Sequence, residues 1–230
     1  MPSKNSTKQY IENGYYHIYN RGVEKRLIFL DQHDYNVFKS YLKEYLTPKN
    51  EKELYGKLSD PEISSRERDK ILKQLQLNNF ADEITLISYS LMPNHFHFCI
   101  KQKSAGSIDK FMNSLATRYT MYFNKKYKRV GSLYQDVYKA VLIKTTEQLL
   151  HLTRYLHKQA LSFQGDALEA LEAQPSSYPE YLGLRKTEWV HPEEILSFFS
   201  DTFPTLSYKS FVEQEDEIDI IANIMIEDID

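Results

Sequence analysis

The 230-residue chain predicts an α+β fold, an antiparallel sheet covered by helices. Three observations carry that expectation. Four runs are rich in strand-forming residues. Three long stretches interleaved with them keep a helical apolar period. The second and third strand runs are separated only by a tight break at Met92-Pro93-Asn94, as in a hairpin. The length suits one domain with embellishments, and the apolar and aromatic content suits a sizeable core.

The first strand reads from Tyr15 to Asn20 and ends at Asn20-Arg21-Gly22. Asp31 can cap a helix running to about Leu46, with Tyr35, Phe38, Leu42 and Tyr45 on one stripe, and Pro48 stops it. Residues 49–82 are charged and irregular, with one short helix near Arg66–Leu77, and read as an insertion. The second strand runs over residues 84–91 and the third over 95–101. Ser107 can cap a long helix to about Tyr127, where Ile108, Phe111, Met112, Leu115, Tyr119, Tyr122 and Phe123 keep the period. Residues 133–143 read as a fourth strand. Thr145 with Gln148 three residues on is a capping-box pattern for a helix to about Ala160. A polar stretch at 174–179, a short helix after Pro192 and another near Ser207 follow. The expected organisation is a domain over 1–165 with a helical insertion, then an extension over 166–230.

Several classes are excluded at this stage. One cysteine, Cys99, allows no intramolecular disulfide and no thiolate zinc cage within one chain. It reads as a small buried strand residue. The N-terminus lacks the apolar core of a signal peptide, and no run is long enough to span a bilayer, so a soluble cytoplasmic protein without a membrane partner is expected. The net charge of −3 is unevenly spread. Residues 213–230 hold eight acids and no base, and without them residues 1–212 stand at +5. A basic body with an acidic tail is compatible with DNA.

The most informative run is Met92-Pro93-Asn94-His95-Phe96-His97-Phe98. Strand side chains alternate faces, so His95 and His97 point one way and Phe96 and Phe98 the other. Two same-facing imidazoles are half of a metal site. The helix over 146–160 offers the rest. His151, Tyr155 and Gln159 lie four apart on one stripe, beside the apolar face of Leu149, Leu152, Leu156 and Ala160. Two imidazoles and an amide oxygen are three neutral ligands that would leave most of a cation's charge available, which suits Mg²⁺ or Mn²⁺ polarising a phosphodiester. A tyrosine beside them can attack phosphorus. Taken singly, a His-x-His pair or a Tyr–Gln pair on an amphipathic helix is as readily structural; the combination carries the reading.

These residues carry a family resemblance. Leu91 to His97 resembles the signature strand of the HUH single-tyrosine transposases, in which U is a bulky apolar residue, here Phe96. The REP-associated tyrosine transposases and their insertion-sequence relatives are the most similar. Tyr15 to Gly22, Arg118 to Asn124, Gly131 to Lys139, and Ser176-Ser177-Tyr178 with Tyr181-Leu182 extend the likeness over about residues 13–212. The resemblance implies a four- or five-stranded antiparallel sheet similar to an RNA-recognition-like palm. It also implies metal-dependent cleavage and rejoining of single-stranded DNA near a hairpin, through a 5′-phosphotyrosine. It carries the nucleophile's role to Tyr155, and the third ligand's to Gln159 beside His95 and His97. Two departures stand out: Gln159-Ala160 replaces the Asn-Pro of the REP-associated branch, and the 49–82 insertion is long.

Other residues weigh less. Tyr119 and Tyr122 are rival nucleophiles whose phase with Leu115 and Phe123 favours the core. His151 can orient Tyr155 or sit on the helix surface, and His157 reads as solvated. Arg118, Lys125, Lys126, Lys128, Arg129 and Lys139 can line a DNA groove or a solvated face, and Arg21 and Arg26 can contact a hairpin. The alternatives are a DNA-hairpin-binding protein that kept the fold without the chemistry, and a metal-dependent hydrolase of small substrates. The first would bind hairpins without metal, and the second would ignore DNA. Whether Tyr155 serves its own chain or a partner in a homodimer is open from sequence.

Overall fold

The computed structural model describes residues 10–161 and 175–214. The acidic segment expected at the C-terminus falls, from residue 215 on, outside the described residues. Four strands form one sheet: β1 (Tyr15–Arg21), β2 (Ile84–Met92), β3 (His95–Gln102) and β4 (Lys139–Ile143). Their order is β2-β3-β1-β4, and every neighbouring pair is antiparallel. With α1 (Gln32–Leu46) between β1 and β2 and α4 (Ser107–Lys126) between β3 and β4, the chain follows a β-α-β-β-α-β path. The expected α+β class with a four-stranded antiparallel sheet is therefore observed.

The sheet is covered on both faces. Phe96, Phe98, Ile100, Tyr16 and Ile18 pack with Phe38 and Leu42 of α1 and Phe111, Leu115 and Tyr119 of α4. The opposite face carries Cys99 and Ile87, which pack against Leu149, Leu152 and Leu156 of α5 (Thr146–Leu161). Short helices α6 (Tyr178–Tyr181), α7 (Glu193–Leu196) and α8 (Tyr208–Glu213) complete that second layer, through Tyr181, Ile195, Tyr208 and Val212. Residues 175–177 also join β2: the Leu91 amide donates to Pro175 O and the Ser177 amide to Tyr89 O.

Two expected caps are present: Asp31 accepts from the Asp34 amide at 3.0 Å, and Thr145 Oγ1 from the Gln148 amide at 3.1 Å. Ser207 Oγ caps the last helix as well, accepting from the Ser210 amide at 3.2 Å. Ser107 does not cap α4. Gly106 takes that place at φ 87°, in the left-handed region that glycine tolerates best, while Ser107 Oγ donates to Glu83 at 2.8 Å.

Two further expectations are corrected. The fourth strand starts at Lys139, not at 133. The ladder with β1 pairs only Lys139–Ile143, whereas around Leu133 and Tyr134 the Val23 and Gln135 amides donate to Leu133 O and Arg21 O. That segment is pinned to the end of β1 and then bows outward. The 49–82 insertion holds two helices, not one: α2 (Glu51–Leu58), capped by Asn50, and α3 (Ser65–Gln76), capped by Ser64. Each helix buries a single side chain, Leu54 or Ile71, so neither shows a long apolar stripe.

Candidate active site

The site begins at the turn between β2 and β3. The Ile28 and Phe29 amides both donate to Pro93 O, and the Gly22 amide donates to Asn94 O at 2.8 Å. A Cβ on Gly22 would stand 2.2 Å from Arg26 O, so only glycine allows the chain to fold this closely behind the turn. The turn that launches His95 is thus held by backbone from a different part of the chain.

His95 and His97 share the face that packs toward α5. His95 Nδ1 lies 2.6 Å from Asn94 Oδ1. An amide oxygen can only accept, so His95 carries a proton on Nδ1, and in its neutral form the lone pair is on Nε2. His97 is fully buried, and its Nδ1 lies 2.9 Å from Nε2 of His17, also fully buried, on β1. Burial holds the His97 pKa well below the usual imidazole range, and the neighbouring His17 and His95 add to the shift. A neutral ring is the ligating form.

Tyr155 and Gln159 meet this face from α5. The Tyr155 ring stands edge-on to His97, with centroids 5.8 Å apart and planes at 84°. Gln159 Nε2 donates to the Tyr155 hydroxyl at 2.5 Å, as the four-residue spacing on a helix allows. The structure therefore brings His95, His97, Tyr155 and Gln159 of one chain together. His95 Nε2, His97 Nε2 and Gln159 Oε1 are all buried, and His97 Nε2 makes no hydrogen bond to the described residues. That buried imidazole nitrogen, with a second imidazole and an amide oxygen nearby, fits a divalent cation. Among the described residues, no group of three or more His, Cys, Asp or Glu is placed to hold a metal ion by itself.

The model of the IS200-like transposases matches residues 10–159. This chain belongs to that transposase family. Among solved structures, it is similar to a REP-associated tyrosine transposase bound to a REP hairpin. That match is 12% identical, with a TM-score of 0.50, covering 89% of this chain and 97% of the other. It supports the fold. A candidate transposase from Deinococcus radiodurans R1 is 12% identical, with a TM-score of 0.37, covering 67% of this chain and 97% of that one. Among curated proteins no match was found.

The remaining candidates of this IS200-like chain separate by layer. Tyr119 is buried with its hydroxyl donating to Ile28 O at 2.7 Å, and Tyr122 donates to Asp34 at 2.8 Å. Both lie on α4, across the sheet from His97. Burial, then Asp34, pushes the Tyr122 hydroxyl up to about 12. Arg118 and Lys126 are committed there as well, Arg118 to Glu44 and the Tyr41 ring, Lys126 to Asp31 and Asp34. Arg129 binds Asn124, and Arg26 pairs with Glu24. Lys125 and Lys128 are exposed around the end of α4. Sheet register brings two bases to the histidines: Arg21 is the β1 partner of His95, and Lys139 is the β4 partner of Tyr19, which itself partners His97.

His151 packs its ring edge against Phe211 at 5.3 Å. His157 is not solvated. It is fully buried between the Tyr208 hydroxyl (2.7 Å) and Ser177 Oγ (2.8 Å), and burial lowers its pKa to about 3. His17 and Tyr19 escaped the sequence reading as site residues. Alternation alone put them on one strand face, but pairing of β1 with β3 decides that this face is the histidines' face.

Proposed function

We propose that this chain cleaves and rejoins single-stranded DNA beside a hairpin, with Tyr155 as nucleophile. The observation that carries the reading is the Tyr155 ring set 5.8 Å from His97 within one chain. The family supports DNA transposition as the setting. The similar solved structure, of a REP-associated transposase, is bound to a REP hairpin.

His95, His97 and Gln159 would hold Mg²⁺ or Mn²⁺, which supplies charge to polarise the scissile phosphodiester. The chain's own residues do the rest. The Gln159 amide, donating to the Tyr155 hydroxyl, aims the phenol. The Tyr155 oxygen forms a bond to phosphorus as the bond from phosphorus to the 3′ oxygen breaks. The leaving oxygen ends as a hydroxyl, balancing the proton lost by the phenol. The phosphotyrosine conserves the bond energy, so a second hydroxyl can reverse the step and rejoin DNA. Arg21 and Lys139, flanking the pair, contact phosphates and set the register of the strand.

The test is a labelled single-stranded hairpin incubated with the protein and Mn²⁺. A covalent protein–DNA adduct is expected. It should vanish with chelator and with Tyr155→Phe, while the variant still binds the hairpin. An adduct that persists in Tyr155→Phe overturns the nucleophile. Hairpin binding indifferent to metal, with no adduct from the wild type, would leave a DNA-binding protein without the chemistry.

A further inference from the structure

We propose that His17 is a positioning residue for His97, holding it in the tautomer whose Nε2 is a lone pair available to a divalent cation. The proposal rests on the reading that His95, His97 and Gln159 bind such a cation. It follows from one contact, His17 Nε2 to His97 Nδ1 at 2.9 Å, between two rings that are both fully buried.

Two neutral imidazoles meeting nitrogen to nitrogen share one proton. If His97 Nδ1–H donates, His97 Nε2 is bare. If His17 Nε2–H donates, the His97 proton sits on its own Nε2. That nitrogen is buried and makes no hydrogen bond to the described residues, so an N–H there would be orphaned. A protonated nitrogen also cannot ligate. Only the first arrangement both avoids the orphaned donor and prepares the site.

The sheet builds this arrangement. His17 is the β1 partner of Cys99, two residues along β3 from His97 and on the same face, so the two rings are diagonal neighbours. Their centroids lie 5.1 Å apart with planes only 20° apart, the near-coplanar placement that an in-plane nitrogen-to-nitrogen hydrogen bond requires. The Tyr19 ring flanks both, at 4.9 Å from His17 and 5.9 Å from His97. His95 has a local partner in the preceding Asn94, whereas the partner of His97 is supplied by another strand. Ligating histidines commonly donate to a carboxylate or carbonyl. An imidazole acceptor orients the ring without adding negative charge, so the bound cation keeps its full pull on a phosphodiester.

The experiment titrates metal-free full-length protein with Mn²⁺, reading free Mn²⁺ by electron paramagnetic resonance, for the wild type, His17→Gln and His17→Leu. The glutamine oxygen can accept where His17 Nε2 does; leucine cannot. His17→Leu is expected to weaken Mn²⁺ binding by about 10- to 100-fold, and His17→Gln to stay within about threefold. Nitrogen-15 shifts of His97 in the metal-free wild type should show the proton on Nδ1. Protonation at Nε2 there overturns the proposal, even if His17→Leu fails to fold. Equal Mn²⁺ binding by the wild type and His17→Leu, or equal loss in both variants, also overturns it. A wild type that binds no Mn²⁺ instead overturns the metal reading on which it rests.

Discussion

On β3, Phe96 and Phe98 turn toward α1 and α4, while His95, His97 and Cys99 turn toward α5. The first side is an aromatic core in which Phe38 meets Phe96, Phe98 and Tyr119. The second side buries His17, His97, His157, Ser88, Ser90, Ser176 and Ser177 beside a smaller apolar cluster. Burying that many polar groups costs free energy unless each finds a partner, so the second side is a poor place to gain stability. The contrast teaches that one strand can divide its labour by alternation. Its even residues hold the fold, which leaves its odd residues free to carry polar chemistry.

The largest effect should fall on the first side. Phe98→Ala removes a fully buried ring from the aromatic core and should cost about 3–5 kcal/mol in urea unfolding. A loss below about 1 kcal/mol would mean that this face is not the main source of stability. His157→Leu probes the second side. It keeps the volume but removes the hydrogen bonds to the Tyr208 hydroxyl and to Ser177 Oγ, which retains its bonds to the Tyr89 backbone, and should cost about 1–3 kcal/mol. The residues around it tie the 175–214 segment to β2 and α5, so faster proteolysis in that segment should accompany the loss.

Much of this division was legible in the sequence. The alternation of His95 through Phe98 gave both faces, and the stripes of α1, α4 and α5 gave the layers. The spacing of Tyr155 and Gln159 survives as a direct hydrogen bond. What was hidden depends on contacts between distant residues. His157 lies next to the apolar stripe of α5, and its burial comes from Ser177 and Tyr208, which lie 20 and 51 residues away. His17 gains its role only because β1 pairs with β3, a choice no local pattern announces. The α2 helix was missed for the opposite reason: it is local and capped, but it buries only Leu54.

Charge at the rim of the first side gives a smaller, pH-dependent effect. Burial opposes ionisation of Asp34, but the Lys126 ammonium, the Leu30 amide and the Tyr122 and Tyr127 hydroxyls outweigh it and hold its pKa below the ordinary carboxylate value. A depressed carboxylate pKa stabilises the fold above the unfolded-chain value of about 3.9, and that contribution is lost as pH falls through the folded value. The stability gap between wild type and Asp34→Asn should therefore narrow as pH drops below about 4. A gap that stays constant down to pH 2.5, by urea midpoint, would show that Asp34 contributes by shape rather than charge.

The smallest effect separates the bases of the two sides. Lys126 is spent on Asp31 and Asp34, whereas exposed Lys139 stands one β-strand beyond Tyr19 on the histidine side. A lysine that contacts a phosphate releases a counterion, so Lys139→Ala should weaken hairpin binding and lower its salt slope by about one. Lys126→Ala should leave the slope unchanged and lower stability instead, because buried Asp34 loses its counter-charge. Equal slopes for the two variants would place the DNA on neither side in particular. A slope that fell only in Lys126→Ala would move the nucleic acid to the α4 side, away from Tyr155.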